Sequence, residues 1–164
     1  MGDVALVGVV SEGRDAAFAA LFTAAYADLA GYCESLVGVD AADELAQEAL
    51  TRVYVRWGLV REPRAYAFRI ATNLARERWR RRSREQELWQ GVAERDAIRT
   101  GPDPEVWDLV QWLPERLRDV VLLHYLADLP VAEVAAATRR PVGTVKRRLH
   151  EARQLLAAAL EEDS

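Results

Sequence analysis

Sulfur, histidine and lysine are almost absent from these 164 residues, which hold one cysteine, one methionine, two histidines and a single lysine, Lys146. A lone Cys33 has no partner for an intrachain bridge and suits a reducing compartment. It sits among apolar residues at helical spacing and reads as core filler. His124 and His150 are far apart, and histidine, cysteine and carboxylates do not gather at metal-ligand spacing. No glycine-rich loop is present to cradle a phosphate. The expectation is therefore no metal, no catalytic residues and no cofactor, and the chain does not read as an enzyme. No apolar run approaches the roughly 20 residues of a bilayer span. The N-terminus has no basic segment leading into an apolar one. Membrane insertion is not expected, and the chain reads as cytoplasmic. Strand-like alternation is missing too, which leaves an all-α reading.

The chain is 51% hydrophobic, enough to bury a core in one ordinary domain or two small ones. Its net charge of −4 looks wrong for a nucleic-acid binder, but the distribution reverses that impression. Residues 1–50 hold nine acids and one arginine, and residues 61–84 hold nine arginines and two acids. Residues 85–119 hold nine acids and four arginines, and residues 139–153 hold six cations and one acid. A basic patch, not a basic total, is what meets phosphate. The acidic stretches disfavour nonspecific adhesion to DNA and suit a protein partner.

Apolar periodicity predicts a first helix over Asp15–Leu36, with Phe18, Leu21, Phe22, Ala25, Leu29, Cys33 and Leu36 on one stripe. Gly38-Val39-Asp40 breaks it, and Asp40 is expected to cap a second helix ending near Trp57, before Gly58. After a loop through Arg61-Glu62, Pro63 opens a third helix to about Arg82. Beyond Ser83 the pattern loosens, with a frayed helix over 84–98 and a break at Gly101-Pro102-Asp103-Pro104. Leu113-Pro114 begins another helix through Leu126. The expected organisation is two small helical domains, 12–84 and 106–160, joined by a linker over 85–105.

The last 35 residues carry the sharpest pattern. A two-turn apolar helix starting at Pro130 is followed by a turn at Arg139-Arg140-Pro141, and Gly143-Thr144 open a longer basic helix. At 100° per residue, Val145, Leu149, Ala152 and Leu156 form one narrow stripe. Lys146, Arg147, His150, Glu151 and Gln154 lie opposite. This is the layout of a helix-turn-helix whose second helix enters the major groove. A solvated amphipathic helix is the plainer alternative.

Two further constellations stand out. In the third helix Ala67, Ile70, Ala71 and Leu74 make a packing stripe, so Arg64, Arg69, Arg76 and Arg80 must point to solvent or to phosphate. Tyr66, Phe68 and Trp79 interleave with them, either as core or as stacking platforms for unpaired bases. On the second helix Ala42, Leu45, Ala46, Ala49, Leu50, Val53 and Trp57 are apolar. Glu44, Gln47, Glu48 and Thr51 group within about 100° of arc, as a solvated face or a docking site for a basic partner.

Together these stretches resemble the extracytoplasmic-function (ECF) subfamily of bacterial sigma factors, in the sigma-70 family. Asp43-Glu-Leu-Ala-Gln-Glu48 is similar to the region 2.2 motif. Pro63-Arg-Ala-Tyr-Ala-Phe-Arg-Ile-Ala-Thr-Asn-Leu-Ala75 is similar to regions 2.3–2.4. Leu113-Pro-Glu-Arg-Leu-Arg with Pro141-Val-Gly-Thr-Val-Lys146 is similar to region 4. The resemblance implies a region 2 helical bundle and a region 4 helix-turn-helix. It implies that Asp43, Glu44, Gln47 and Glu48 meet the β′ clamp helices of RNA polymerase core. Arg61, Arg64, Arg69, Asn73, Arg76 and Arg80 would meet the −10 element, including a flipped base. His124, Arg140, Thr144, Lys146, Arg147, His150 and Glu151 would meet the −35 duplex, with region 4 also on the β flap. Implied partners are polymerase core, promoter DNA and, as for many members, an anti-sigma factor. Departures from the pattern are Arg147 for a small serine, Glu151 for a frequent cation, His124 for arginine, and Tyr66 and Ala67 for tryptophan and leucine. Glu151 either accepts from cytosine N4 or removes one phosphate contact. The rival readings are a stand-alone helix-turn-helix regulator and a module of a nucleic-acid enzyme.

Overall fold

A computed structural model describes residues 3–88 and 104–162, and every regular element in them is helical. α1 spans Asp3–Val37, α2 Val39–Val55 and α3 Pro63–Leu88. α4 spans Pro104–Trp112, α5 Glu115–Val121, α6 Val131–Thr138 and α7 Val142–Glu162.

The periodic stripes mark the core. Ala42, Leu45, Ala46, Ala49, Leu50 and Val53 of α2 are all buried, as are Ala25, Leu29, Cys33 and Leu36 of α1. Ala67, Ile70 and Ala71 of α3 complete this layer, with α1, α2 and α3 packed pairwise. The small residues on α2 and α3 let the helix axes approach closely, and each buried leucine or valine contributes about 1.5–3 kcal/mol. Cys33 is buried, and that burial pushes its thiol up to about 12, so it stays a protonated, inert filler at neutral pH. Phe22, expected on the packing stripe, is partly exposed and stacks on Tyr26 instead. The stretch Glu12–Val37, 26 residues with hydropathy 1.3, has the length and composition of a bilayer span, which a search for unbroken apolar runs does not register. It carries Glu12, Arg14, Asp15, Asp28 and Glu34, and its buried stripe serves as a core face.

Several boundaries differ from the sequence expectation. Asp40 does not cap α2: Gly38 is the N-cap at φ 82°, without a side-chain cap bond, and Asp40 sits inside the first turn. Glycine accepts that left-handed backbone without a Cβ clash, so the reversal needs one residue only. α2 stops at Val55, and Trp57–Leu59 form a separate 3₁₀ turn holding Gly58. α1 starts twelve residues before Asp15, at Asp3, and α3 runs past Arg82 to Leu88. The remainder of the frayed helix and most of the expected linker lie outside the described residues. Pro104, expected within the linker, opens α4 instead, where its missing N–H costs nothing.

The helix expected through Leu126 is regular only to Val121, with Pro114 as N-cap, and Leu122–Leu126 widen into a π turn. There the Ala127 amide reaches back to the Leu122 carbonyl at 3.0 Å. Such widened turns re-aim the chain at the cost of one inserted residue, and here Asp128 follows at φ 53°. Pro130 is the extended N-cap of α6 rather than its first helical residue. α6 closes with Arg139 in the left-handed region, φ 52°. The Arg140 and Arg139 amides bond the Ala135 and Ala136 carbonyls at 3.0 and 3.3 Å, a Schellman closure with arginine where glycine is usual. That closure sets the turn between α6 and α7. Val145, Leu149 and Ala152 are buried beneath it, and Leu156 is half-buried.

The buried apolar residues of all these helices form one continuous cluster, running from Leu29 through Phe68 to Leu117, Leu123, Val134 and Ala152. The seam is the face of α3 that meets α6 and the π turn.

Candidate nucleic-acid interface

α7 is held by α5 and α6 on its apolar side, which turns the opposite side outward. Lys146, Arg147, His150 and Arg153 are exposed there, Arg140 is exposed in the preceding turn, and Thr144 is half-buried in the first turn. Arg148 is half-buried and donates to the Arg116 carbonyl at 2.8 Å. Partial burial lowers its pKa, and the neighbouring Arg140, Arg116 and Arg147 lower it further, so charge on this surface is concentrated rather than balanced. Glu151 does not stand free on the polar face. It is half-buried and its carboxylate pairs with Arg116 of α5, because α5 packs along that side of α7. The one acid of the basic block is thereby neutralised. His124 lies on the π turn, with Nδ1 2.9 Å from the Leu129 carbonyl, which fixes its ring.

The α3 arginines do not all point outward, as the stripe alone suggests. Arg76 is only 15% exposed, and its guanidinium meets Asp119 at 2.5 Å and Glu115 at 2.7 Å, both on α5. Arg80 lies 3.4 Å from Glu115. Arg64 is shared between Asp28 of α1 at 3.3 Å and Glu133 of α6. The physical reason is the seam: α5 and α6 lie over α3 and bring carboxylates to it. Arg61 is exposed in the loop before α3. Arg69 and Asn73 line a cleft of about 130 Å³ together with Thr72, Asp119, Leu123, Thr138 and Arg140. The fold therefore brings −10 candidates Arg69 and Asn73 beside the −35 candidate Arg140, which the sequence pattern keeps 67 residues apart or more.

The interleaved aromatics divide. Phe68 is fully buried, with its ring 5.5 Å from Tyr32 and Arg64 over its face at 5.2 Å. Trp79 is half-buried and donates from Nε1 to the Leu36 carbonyl at 3.0 Å. Tyr66 is half-buried, with its hydroxyl 3.3 Å from Arg56.

The acidic face of α2 borders an open groove of about 480 Å³ lined by Glu44, Leu45, Glu48, Arg52, Leu74, Glu77, Arg78 and Arg81. Its acids are partly matched from within the chain. Glu48 accepts from Arg52 at 2.8 Å, Glu44 lies 3.7 Å from Arg78, and Gln47 donates to Asp43 at 3.3 Å. Tyr26 of α1 donates to Asp43. Sequence reasoning found the basic residues but missed Asp28, Glu115, Asp119 and Glu133 as their partners. For Glu115 and Asp119 the available signal was the acid run over 85–119, opposite in sign to the arginine run before it; Asp28 and Glu133 had none.

A two-helix unit closed by a tight turn, with a cationic outer face over a buried stripe, defines a helix-turn-helix DNA-binding protein. Family models identify which kind: sigma-70 region 2 matches residues 21–85, and sigma-70 region 4 matches residues 104–156. The chain is 30% identical over 152 residues to the ECF RNA polymerase sigma factor SigW of Bacillus subtilis, covering 79% of this chain and 81% of that protein. It is 34% identical over 142 residues to the RNA polymerase sigma-E factor of Streptomyces coelicolor, covering 76% and 80%. Among solved structures, CnrH in complex with the cytosolic domain of CnrY superposes with a TM-score of 0.64 at 24% identity, over 100% of both chains. The sigma factor RpoE bound to the anti-sigma factor NepR from Bartonella quintana gives 0.57 at 23%, over 90% and 98%. At those identities the two structures speak for the fold. The chain belongs to the ECF subfamily of the sigma-70 family, and its function is to direct transcription initiation at promoters.

Proposed function

We propose that the two parts of the chain divide promoter recognition between them: residues 12–84 for polymerase core and the −10 element, residues 106–160 for the −35 duplex, with 85–105 as the linker. The observation that carries this is the outer face of α7. It exposes Lys146, Arg147 and His150 over a buried Val145–Leu149–Ala152 stripe, and its one acid is neutralised by Arg116. That leaves donors and cations facing a groove and no free carboxylate to repel its phosphates. His124, Arg140 and Thr144 flank this face. α3, with the loop residue Arg61, holds the melted −10 strand through Arg64, Arg69, Asn73, Arg76 and Arg80. Asp43, Glu44, Gln47 and Glu48 dock on the β′ clamp helices, and the C-terminal part also meets the β flap. The protein contributes contacts rather than catalysis and works in the cytoplasm. A partner of the anti-sigma class fits the same reading, since the solved relative RpoE is held by one. The deciding experiment is run-off transcription with core polymerase across a library of upstream sequences. Recovery of two separated sequence elements is expected, and transcripts that do not depend on added protein refute the reading.

Two outcomes follow. Lys146→Ala and Arg147→Ala are each expected to weaken binding to a −35 duplex by about 1–3 kcal/mol, with base-specific effects, where the side chain makes a bidentate contact. Fluorescence anisotropy at fixed salt measures this, and equal affinity of variant and parent removes α7 as the reading helix. Gln47→Ala with Glu48→Lys is expected to impair co-purification with core while leaving helicity unchanged. The Glu48–Arg52 pair is exposed, and such pairs contribute only about 0–1 kcal/mol to stability. Undiminished co-purification places the docking surface elsewhere.

A further inference from the structure

We propose that Arg116, on α5 and outside the reading helix, sets part of the −35 sequence preference by holding the Glu151 carboxylate away from Arg147. This rests on the reading of α7 as the duplex-reading helix. The two arginines compete for one acid. Arg147 and Glu151 stand four residues apart on α7, the spacing at which opposite charges pair along one helix face. At 100° per residue Glu151 lies between Arg147, about 40° round the helix, and Arg148, about 60° the other way. Among the described residues it pairs with neither. Its carboxylate takes the Arg116 guanidinium, from across the contact between α5 and α7. Arg147 is left exposed, with no ion pair or side-chain hydrogen bond among the described residues.

Two features fix Arg116 for this task. Leu117 beside it is fully buried, which anchors this turn of α5. Arg148 donates to the Arg116 carbonyl at 2.8 Å, which ties α7 to α5 and commits Arg148 as well. The Arg116–Glu151 pair itself is exposed, 53% and 38%, so it adds little stability. Its effect is on where Glu151 points. Arg147 can read guanine only through a free edge of its guanidinium. An edge engaged by a carboxylate cannot at the same time offer its two N–H groups to guanine O6 and N7. Without Arg116, the half-buried Glu151 would still need a cation. The exposed guanidinium one turn away on the same helix is that of Arg147. A cation on α5 thus decides what a donor on α7 is free to read.

The test presents holoenzyme with a promoter library randomised across the −35 segment and counts the bound sequences. The parent is expected to prefer guanine at one position, and Arg147→Ala to erase that preference. Arg116→Met, which keeps an apolar stem without the charge, is expected to lower the preference at the same position about tenfold. Arg116→Lys should keep it. Arg116→Met with Glu151→Gln should return to within about twofold of Glu151→Gln alone, because no carboxylate remains to engage Arg147. An unchanged preference in Arg116→Met overturns the proposal, because Glu151 then leaves Arg147 alone. A loss spread evenly over all sequences and not rescued by Glu151→Gln overturns it, because Arg116 is then a phosphate contact. A loss at the one position that Glu151→Gln does not rescue also overturns it, because Arg116 then only packs. So does a switch from guanine to cytosine in Arg116→Met, since the released Glu151 would then read the base itself. Arg147→Ala separates the two levels of failure. If it erases the preference and Arg116→Met does not, only the role of Arg116 is wrong. If it leaves the preference intact, the reading of Arg147 as a base contact fails, and the role of Arg116 falls with it.

Discussion

Phe68→Ala is expected to lower the stability of the folded chain by about 3–5 kcal/mol, a large part of the roughly 5–15 kcal/mol that holds a typical domain together. Phe68 is fully buried at the meeting of α1 and α3. Its truncation leaves a cavity lined by side chains that have other commitments. Tyr32, whose ring lies 5.5 Å away, shares a hydrogen bond with the Thr72 hydroxyl at 2.7 Å, and that hydroxyl also donates to the Phe68 carbonyl at 2.8 Å. Neither ring nor hydroxyl can slide into the void without breaking a buried bond. The substitution also removes the face over which Arg64 sits. Urea unfolding followed by tryptophan fluorescence measures the loss. Phe68→Leu, which keeps most of the volume, is expected to cost less than about 1.5 kcal/mol. A loss under about 1 kcal/mol for the alanine variant shows that the site collapses freely and that this aromatic is not the pin between α1 and α3.

Phe68 also shows what the chain discloses before it folds. Helical periodicity placed Ala67, Ile70 and Ala71 on the buried side of α3, and it placed Val145, Leu149 and Ala152 on the buried side of α7. Each of those stripes depends on a local 3.6-residue repeat. Phe68 sits one residue off its stripe, and its burial depends on Tyr32, 36 positions away, so spacing left it open between core and base-stacking roles. The same limit applies to the site. The outward face of α7 was readable because its own helix decides it. The pairing of Arg76 with Glu115 and Asp119 was not, since it depends on where α5 comes to rest against α3. Glu151 fails in the same way through Arg116. Pro141 marked the turn at Arg139-Arg140, but the left-handed backbone of Arg139 and the π turn at Leu122–Leu126 carry no glycine or proline inside them, so composition gave no cue to either conformation.

Arg69→Ala with Arg76→Ala is expected to leave −35 duplex binding nearly unchanged, because α7 carries that contact, and to reduce open-complex formation strongly. Holding a melted strand needs cations spaced along a backbone, and each cation taken from a single-strand phosphate lowers the salt dependence of binding by about 0.7. Removing both arginines should flatten that slope by about 1.4 units. The two are not equivalent in the free protein. Arg76 is tied to α5 by two carboxylates, whereas Arg69 faces the small cleft beside Asn73 and Arg140. Removing Arg76 therefore has two effects: it breaks the ion pairs to α5 and deletes a hold on the strand. Removing Arg69 has only the second. The single Arg69→Ala variant is thus the cleaner measure of strand holding. The double variant should open a promoter less well than either single one. Permanganate footprinting of holoenzyme on linear and pre-melted promoters reads both. Pre-melting should restore opening only in part, since the melted strand would still lack its two arginines. If the double variant opens a linear promoter as fast and as fully as the parent, these arginines do not hold the strand, and the −10 strand is held by another surface.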